Sequence, residues 1–270
     1  MATARTEPFS TALGRAVVGA LFFAFPLLMT MEMWELGFHM DRIRLLIFLI
    51  AGVAVVFGLS FYAGFRAARG LVNDLADTAA AIAIGFGVSV VLLGLFGVYT
   101  LDEPFGASVG KTSLQAIPAA MGAVLARRQL TGADANEALA APGSTYGGEL
   151  FLMAVGALFV AFNVAPTEEI VLISFQMDLV QTLLLALLSI ALLHLVVFSL
   201  GFAGQEAHEG HLRALAHFTV PGYAIALLVS LYVLWTFGRI DGFSPHETVS
   251  AMIVLGFPAA LGAALARLVV

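Results

Sequence analysis

The segment GALFVAFNVAPTEEIVLISFQMD, residues Gly156–Asp178, places two adjacent carboxylates, Glu168 and Glu169, between two apolar runs. A second copy, GALFFAFPLLMTMEMWELGFHMD, occupies Gly19–Asp41 and carries Glu32 at the position of Glu169. A carboxylate at the centre of a membrane helix costs roughly 2.5–3.5 kcal/mol on insertion scales, so acids flanked by apolar residues need a reason to be there. Their presence in both copies makes them candidates for a functional site.

The duplication extends beyond these two segments. Ile117–Arg127 reads IPAAMGAVLAR and Phe257–Arg267 reads FPAALGAALAR, with eight of eleven positions identical. The pattern predicts a first four-helix repeat at residues 1–130, a cytoplasmic linker at 131–149 and a second four-helix repeat at 150–270. Because four spans bring the chain back to its starting side, the repeats are expected to be parallel, related by an axis along the membrane normal.

The composition indicates a helical membrane protein. Of the 270 residues, 61% are hydrophobic and 11% are charged, against about 25% charged residues in a soluble domain. Apolar runs of about 20 residues, enough to cross a bilayer core, recur along the chain. The predicted fold class is therefore all-α, a polytopic membrane protein with eight transmembrane helices. The predicted spans are approximately 16–36, 43–65, 79–100, 109–127, 150–175, 179–203, 218–237 and 249–269.

The composition also excludes several classes of function. The chain has no cysteine, so it has no disulfide, thiolate nucleophile or cysteine-ligated metal centre. Its formal charge of −6 is spread over short loops without a basic tract, which argues against nucleic-acid binding. Since no catalytic constellation has diagnostic spacing, we expect no enzymatic activity and no cofactor other than a bound cation. The expected partners are the lipid bilayer and a small inorganic cation, with a homo-oligomer left open.

The basic residues predict an orientation. Eight arginines flank one end of the predicted spans, while four basic residues flank the other, which places both termini in the cytoplasm by the positive-inside rule. The acidic segments then lie toward the outer face of a bacterial inner membrane.

The acidic segments are predicted to interrupt their spans. Pro166 lacks a backbone donor and suits the first turn of a helix, so a break is expected near Asn163–Pro166. Pro26 occupies the Asn163 position in the first copy, and interruptions at matching points of two repeats are typical of substrate sites in transporters. The predicted ion-binding residues are Glu32, Glu169, Glu168, Glu35, Thr30 and Thr167. The alternative interpretation is that these acids cap short helices at the headgroup level.

The oxygen ligands predicted at these breaks suit two kinds of transported ion. Carboxylates, hydroxyls and freed carbonyls bind hard divalent cations such as Ca²⁺, Mg²⁺ or Mn²⁺. Clustered carboxylates can equally retain a proton near neutral pH, which would suit proton transport. The sequence therefore predicts a channel or secondary transporter for H⁺ or a divalent metal. The alternative function is a non-transporting sensor or scaffold whose acids are structural.

Other polar residues allow two interpretations each. His194, inside an apolar run, is either a proton relay or a donor to a neighbouring helix. His208 and His211 are three residues apart and could share a metal on a helix, with His217 nearby in the chain, but a solvated loop is the preferred interpretation. Asp41 and Asp178 occupy matching turns, where aspartate commonly bonds its own backbone; this structural role is preferred, and a cation vestibule is the alternative. The paired glycines Gly122 and Gly262 are expected to allow close helix packing.

The motifs GALFxAF, PTEE and IPAAMGA/FPAALGA, together with the overall length, resemble an uncharacterised bacterial family of integral membrane proteins. The resemblance covers essentially the whole chain. It implies a location in the inner membrane and carries no assigned activity.

Overall fold

The computed structural model describes residues 9–63, 71–100, 102–129, 145–199 and 215–269. Within these ranges the chain forms ten α-helices and one π-helical turn, and no strand occurs in them. The helices are α1 Phe9–Leu28, α2 Met31–His39, α3 Arg42–Ala63, α4 Leu71–Leu95, α5 Phe105–Gln129, α6 Tyr146–Val164, α7 Glu169–Gln176, α8 Leu179–Ser199, the π segment Leu215–Thr219, α9 Val220–Thr236 and α10 Pro245–Val269.

The chain divides into two compact units, Met1–Ala133 (unit 1) and Asp134–Val270 (unit 2). Most of the predicted linker at 131–149 lies outside the described residues. Helix α6 begins at Tyr146, before the predicted span, because the Thr145 side chain accepts a hydrogen bond from the Gly148 N–H and caps the first turn.

Unit 1 is organised around α5, which packs against α1, α2, α3 and α4. Every residue from Thr112 to Ala126 is buried, so neighbouring helices cover α5 on all sides over this stretch. Two glycines allow a close approach of α1 and α5, since a Cβ on Gly19 of α1 would overlap the Gly122 carbonyl and the Ala126 side chain of α5. Small residues at such crossings let helix backbones touch.

Unit 2 is organised in the same way around α10, which packs against α6, α7, α8 and α9. A Cβ on Gly156 of α6 would overlap the Gly262 carbonyl and the Ala266 side chain of α10. The predicted packing role of Gly122 and Gly262 is therefore confirmed.

Seven helices in the described part of the chain are long and apolar enough to cross a membrane. They are α1, α3, α4, α6, α8, α9 together with the π segment, and α10. The remaining predicted span, 109–127, corresponds to α5, which has the required length but carries Lys111, Thr112, Ser113 and Gln115. Because neighbouring helices cover α5, its side chains contact protein and do not have to be apolar as lipid-facing side chains do.

The ends of α4 and α9 have the same backbone turn. Gly97 and Gly238 have positive φ angles of 68° and 70°, which glycine adopts without strain. The next residue donates its N–H back into the helix, from Val98 to Leu93 and from Arg239 to Leu234, each over 2.9 Å. This is a Schellman ending. It places the Val98 carbonyl and the Arg239 side chain at corresponding points of the two units.

Candidate functional site

Both acidic segments contain a helix break. Helix α1 ends at Leu28 and α2 begins at Met31, while α6 ends at Val164 and α7 begins at Glu169. The predicted break near Asn163–Pro166 is confirmed. In the first copy, the break falls a few residues after Pro26, which lies within the last turns of α1.

Protein donors bind the carbonyl groups that the break in unit 1 leaves free. The Thr30 hydroxyl donates to the Pro26 carbonyl over 2.6 Å, and the indole N–H of Trp34 donates to the Leu28 carbonyl over 2.9 Å. From the central helix, the amide of Gln115 donates to the Leu27 carbonyl over 3.2 Å. The break is therefore a fixed part of the fold, because freed carbonyl groups need donors when they are buried.

The break in unit 2 has a different set of donors. The Thr167 hydroxyl donates to the Val164 carbonyl over 2.9 Å, and the Asn163 amide donates to the Phe159 carbonyl over 2.7 Å. The guanidinium of Arg239 donates to the Pro166 carbonyl. Unit 2 thus places a protein cation directly at its break.

Glu169 lies in the first turn of α7 and is exposed. The N–H of its own backbone holds the pKa of the carboxyl below its usual value, with help from Thr167 and from the charge of Arg239, and these effects outweigh partial desolvation. A carboxylate at a helix start also interacts favourably with the helix dipole. Glu169 therefore has the features of a helix cap with a nearby counter-ion.

Glu32 lies in the first turn of α2 and is partly buried. Within the described residues it makes no hydrogen bond and no ion pair, and Val98 stands at the position that corresponds to Arg239. Glu35 is exposed, and Glu168 is exposed at the N-cap of α7 without a side-chain cap bond. Glu168 and Glu169 lie at the start of α7 and Glu35 is exposed, so local structure accounts for these three acids. It does not account for the partly buried carboxylate of Glu32.

The structure separates the predicted site residues by unit. Thr30, Glu32 and Glu35 belong to the break in unit 1, and Thr167, Glu168 and Glu169 to the break in unit 2. Within the described residues, no group of three or more His, Cys, Asp or Glu side chains is placed to hold a metal ion.

The two turn aspartates have the structural role preferred from the sequence. Asp41 Oδ1 accepts from the backbone N–H groups of Ile43 and Arg44, over 2.9 and 3.1 Å. Asp178 Oδ1 accepts from the Gln181 N–H over 2.8 Å, and the Gln181 side chain accepts in return from the Asp178 N–H. Both aspartates cap the helix that follows them.

His194 bonds to a neighbouring segment. Its Nδ1 lies 2.9 Å from Oγ1 of Thr219, which is buried in the π segment, so the interhelical hydrogen bond predicted as one alternative is present. The carbonyl of His217 accepts from the Tyr146 hydroxyl over 2.8 Å. His208 and His211, the other two residues of the predicted metal alternative, lie outside the described residues.

An ion pair that the sequence interpretation missed lies in unit 1. Lys111 of α5 donates to Oε2 of Glu103 and, over 3.1 Å, to the Val98 carbonyl, while the Ser108 hydroxyl donates to Oε1 of Glu103. Burial raises the pKa of Glu103, but the Lys111 and Ser108 hydrogen bonds and the Lys111 charge together keep it below the usual value. The available signal was the position of Lys111 two residues inside a predicted span, where an ionisable side chain needs a partner.

The comparison with known families supports the membrane assignment. The family model described as "Putative integral membrane protein (DUF2391)" matches residues 12–270. The match covers nearly the whole chain, so the protein belongs to this family and is a multi-pass integral membrane protein, which confirms the predicted resemblance. No curated protein matches the chain, and no solved structure matches it.

Proposed function

We propose that this member of the family is a membrane transport protein for protons or another small monovalent cation, with Glu32 as the group that binds the transported ion. The observation that carries the proposal is the environment of Glu32. It is a partly buried carboxylate in the first turn after a helix break, without an ion-pair partner among the described residues. A lone acid beside an interrupted membrane helix is the arrangement in which transporters hold a cation.

The charge available at the break supports a monovalent ion over a divalent metal. Divalent cations are usually held by several carboxylates, whereas α2 brings one partly buried carboxylate to this break. The described residues also contain no cluster of metal-ligating side chains. A single negative charge balances one proton or one monovalent cation.

We also propose that the two units are copies of one ancestral unit, with α5 as the eighth span. Matching helix breaks, matching glycine crossings and matching turns after α4 and α9 support this. The proposed location is the bacterial inner membrane with both termini in the cytoplasm, which puts the two breaks toward the outer face. The proposal includes no enzymatic activity.

The two copies then have different tasks. Glu169 lies near Arg239 and stabilises the start of α7, whereas the carboxylate of Glu32 remains available to bind the ion. Such a division allows one copy to bind the ion and the other to stabilise the fold.

The experiment is ion flux into proteoliposomes that contain the purified protein. Glu32→Gln removes the charge and keeps the size, and we expect it to lower the flux about 10- to 100-fold, since hydrogen bonds to charged groups contribute about 1.5–3 kcal/mol. Glu35→Gln, an exposed acid on the same helix, is the matched control and should retain the wild-type flux. Equal flux in Glu32→Gln and wild type would rule out Glu32 as the ion-binding group.

A second candidate function is a sensor or scaffold that moves no ion. The environment of Glu169 favours it, because its own backbone N–H, Thr167 and the nearby charge of Arg239 stabilise the carboxylate at the start of α7. This candidate expects no flux of H⁺, Na⁺, K⁺, Ca²⁺ or Mn²⁺ in the wild-type protein. It further expects a protein partner to bind through residues 127–149 or 204–217.

A further inference from the structure

A row of polar side chains runs along the first half of α5 in unit 1. Ser108, Lys111, Thr112 and Gln115 follow the spacing i, i+3, i+4 and i+7, so they lie on one face of the helix. Thr112 and Gln115 are buried, and Ser108 and Lys111 are partly buried. Gln115 lies ten residues after the start of α5 at Phe105. At 1.5 Å per residue that is about 15 Å, half the thickness of a bilayer core.

The members of the row are hydrogen-bonded at both ends. At the start of α5, Glu103 accepts from Ser108 and Lys111. One turn deeper, Thr112 Oγ1 lies 2.7 Å from the Tyr99 hydroxyl. Deepest, Gln115 donates to the carbonyl of Leu27 at the break in α1.

Gln115 has an acceptor that the protein does not use. Its side chain is fully buried, yet its Oε1 accepts no hydrogen bond from any described residue. Because the amide N–H₂ of Gln115 donates to the Leu27 carbonyl, the amide oxygen of Gln115 points away from that carbonyl. A buried, unpaired amide oxygen is costly, and it is satisfied when a water molecule or an ion binds there.

The path of α1 and α2 along α5 brings the break in unit 1, and the chain segment that carries Glu32, alongside this row. Leu27 contacts α5 at Gln115, and Gly37 contacts α5 at Gly110 and Lys111. Glu32 lies between Leu27 and Gly37 in the chain, so its turn of α2 passes the stretch from Gln115 to Lys111.

Unit 2 lacks the row. The residues of α10 that correspond to Lys111, Thr112 and Gln115 in the duplication are Ala251, Met252 and Leu255. The close contact between Gly37 and Gly110 is replaced by a hydrogen bond over 3.0 Å from the Ser250 hydroxyl to the Ser174 carbonyl. The central helices α5 and α10 thus pack against their neighbours in corresponding ways, but they carry different side chains at these positions.

We propose that the row Ser108–Lys111–Thr112–Gln115 forms a hydrated proton pathway in unit 1 that leads from Glu103 to the helix break beside Glu32. This rests on the proposed transport function and names its substrate as the proton. The hydroxyls of Ser108, Thr112 and Tyr99 both donate and accept, which a proton relay requires. A metal cation needs acceptors alone, so the donors in this row favour the proton.

The relay moves protons without consuming any group. Each step transfers one proton from a hydroxyl or a water molecule to the next hydroxyl or water oxygen, and each donor regains a proton from the oxygen before it. The Lys111 ammonium and the Gln115 amide keep their protons and hold the water in place. Side chains at Thr112 and Gln115 are about 5–6 Å apart at their Cβ atoms, a gap that one water molecule bridges. The unused Oε1 of Gln115 is the acceptor for that water.

The test uses the full-length protein in vesicles that contain the dye pyranine, with a potassium gradient and valinomycin to drive proton entry. Gln115→Leu installs the residue that unit 2 has at this position, and Thr112→Val removes the hydroxyl with little change in volume. We expect each to lower the proton flux about tenfold or more, as loss of a hydrogen bond to a charged species does. Ser250→Ala, which removes a buried hydroxyl from the central helix of unit 2, should leave the flux unchanged.

The outcomes separate the two proposals. If the wild-type protein moves neither protons nor ²²Na⁺, the transport function fails and the pathway fails with it. If the wild-type protein moves protons but Gln115→Leu and Thr112→Val do so equally well, the pathway is wrong and the transport function stands. Uptake of ²²Na⁺ without proton entry would overturn the choice of the proton. Size-exclusion profiles of all variants establish that they fold, and Thr112→Val decides the question if Gln115→Leu does not fold.

Discussion

The ammonium nitrogen of Lys111 lies 2.5 Å from Oε2 of Glu103, and the two side chains are 11% and 6% exposed. Both charges are thus largely removed from solvent, and each charge is stabilised by the opposite charge of its partner. A buried pair of this kind adds little net stability compared with apolar residues, but loss of one partner leaves a buried charge uncompensated.

The first prediction concerns this pair. Lys111→Met should lower the free energy of unfolding by about 3 kcal/mol, because Glu103 remains charged without its partner. The double variant Lys111→Met/Glu103→Leu should recover most of the loss. The measurement is the unfolding midpoint in detergent, and equal losses in the single and double variants would contradict the prediction.

The second prediction concerns acid. The folded protein holds the pKa of Glu103 below its usual value of 4.5. The stabilisation from ionised Glu103 is therefore fully present above pH 4.5 and is lost as the pH falls through the lower pKa of the folded state. The difference in thermal midpoint between wild type and Glu103→Gln should shrink as the pH decreases from 7 to 3. A difference that stays constant over this range would show that folding does not shift the pKa of Glu103.

The third prediction concerns the glycine crossing in unit 1. Gly19→Ala should destabilise the protein by about 1–3 kcal/mol, because the added methyl group overlaps Gly122 and Ala126. Gly14→Ala is the matched control on the same helix, where nothing lies within 4 Å of the added carbon. It should be neutral or stabilising by up to about 1 kcal/mol, since alanine favours the helix. Thermal unfolding of the two variants side by side gives the answer.

The fourth prediction concerns Arg239. Arg239→Gln should loosen the start of α7, because the Pro166 carbonyl loses its charged donor and Glu169 loses a nearby positive charge. Hydrogen exchange of peptides covering residues 164–176 should become faster, with smaller changes in Arg239→Lys, which keeps the charge. Unchanged exchange in Arg239→Gln would show that the break is held by Thr167 and Asn163 alone.

Local features were predictable from the sequence. The break after Val164 follows from Pro166, and the caps at Asp41 and Asp178 follow from aspartate next to a helix start. These features depend on residues within a few positions of one another, and their chemistry is visible in the sequence itself.

Long-range contacts were not predictable in the same way. Gln115 meets Leu27, and Arg239 meets Pro166, because the packing of whole helices brings them together. The sequence alone places Lys111 and Arg239 among the charges that define orientation and does not distinguish Glu32 from Glu169. Among the described residues, Arg239 lies near Glu169 and no cation pairs with Glu32, which makes the two acids different.

The burial of α5 from Thr112 to Ala126 has a consequence for how the protein is made. A lipid-facing helix can partition into the bilayer by itself during synthesis. In contrast, α5 is buried against other helices and carries polar groups that are unfavourable in lipid. With α5 as the proposed eighth span, its insertion depends on α1 to α4, which the ribosome completes first, whereas α10 is apolar enough to be counted as a span by itself. The proposal therefore makes biogenesis of unit 1 a cooperative event, in which a defect in any of its first four helices should prevent the insertion of α5.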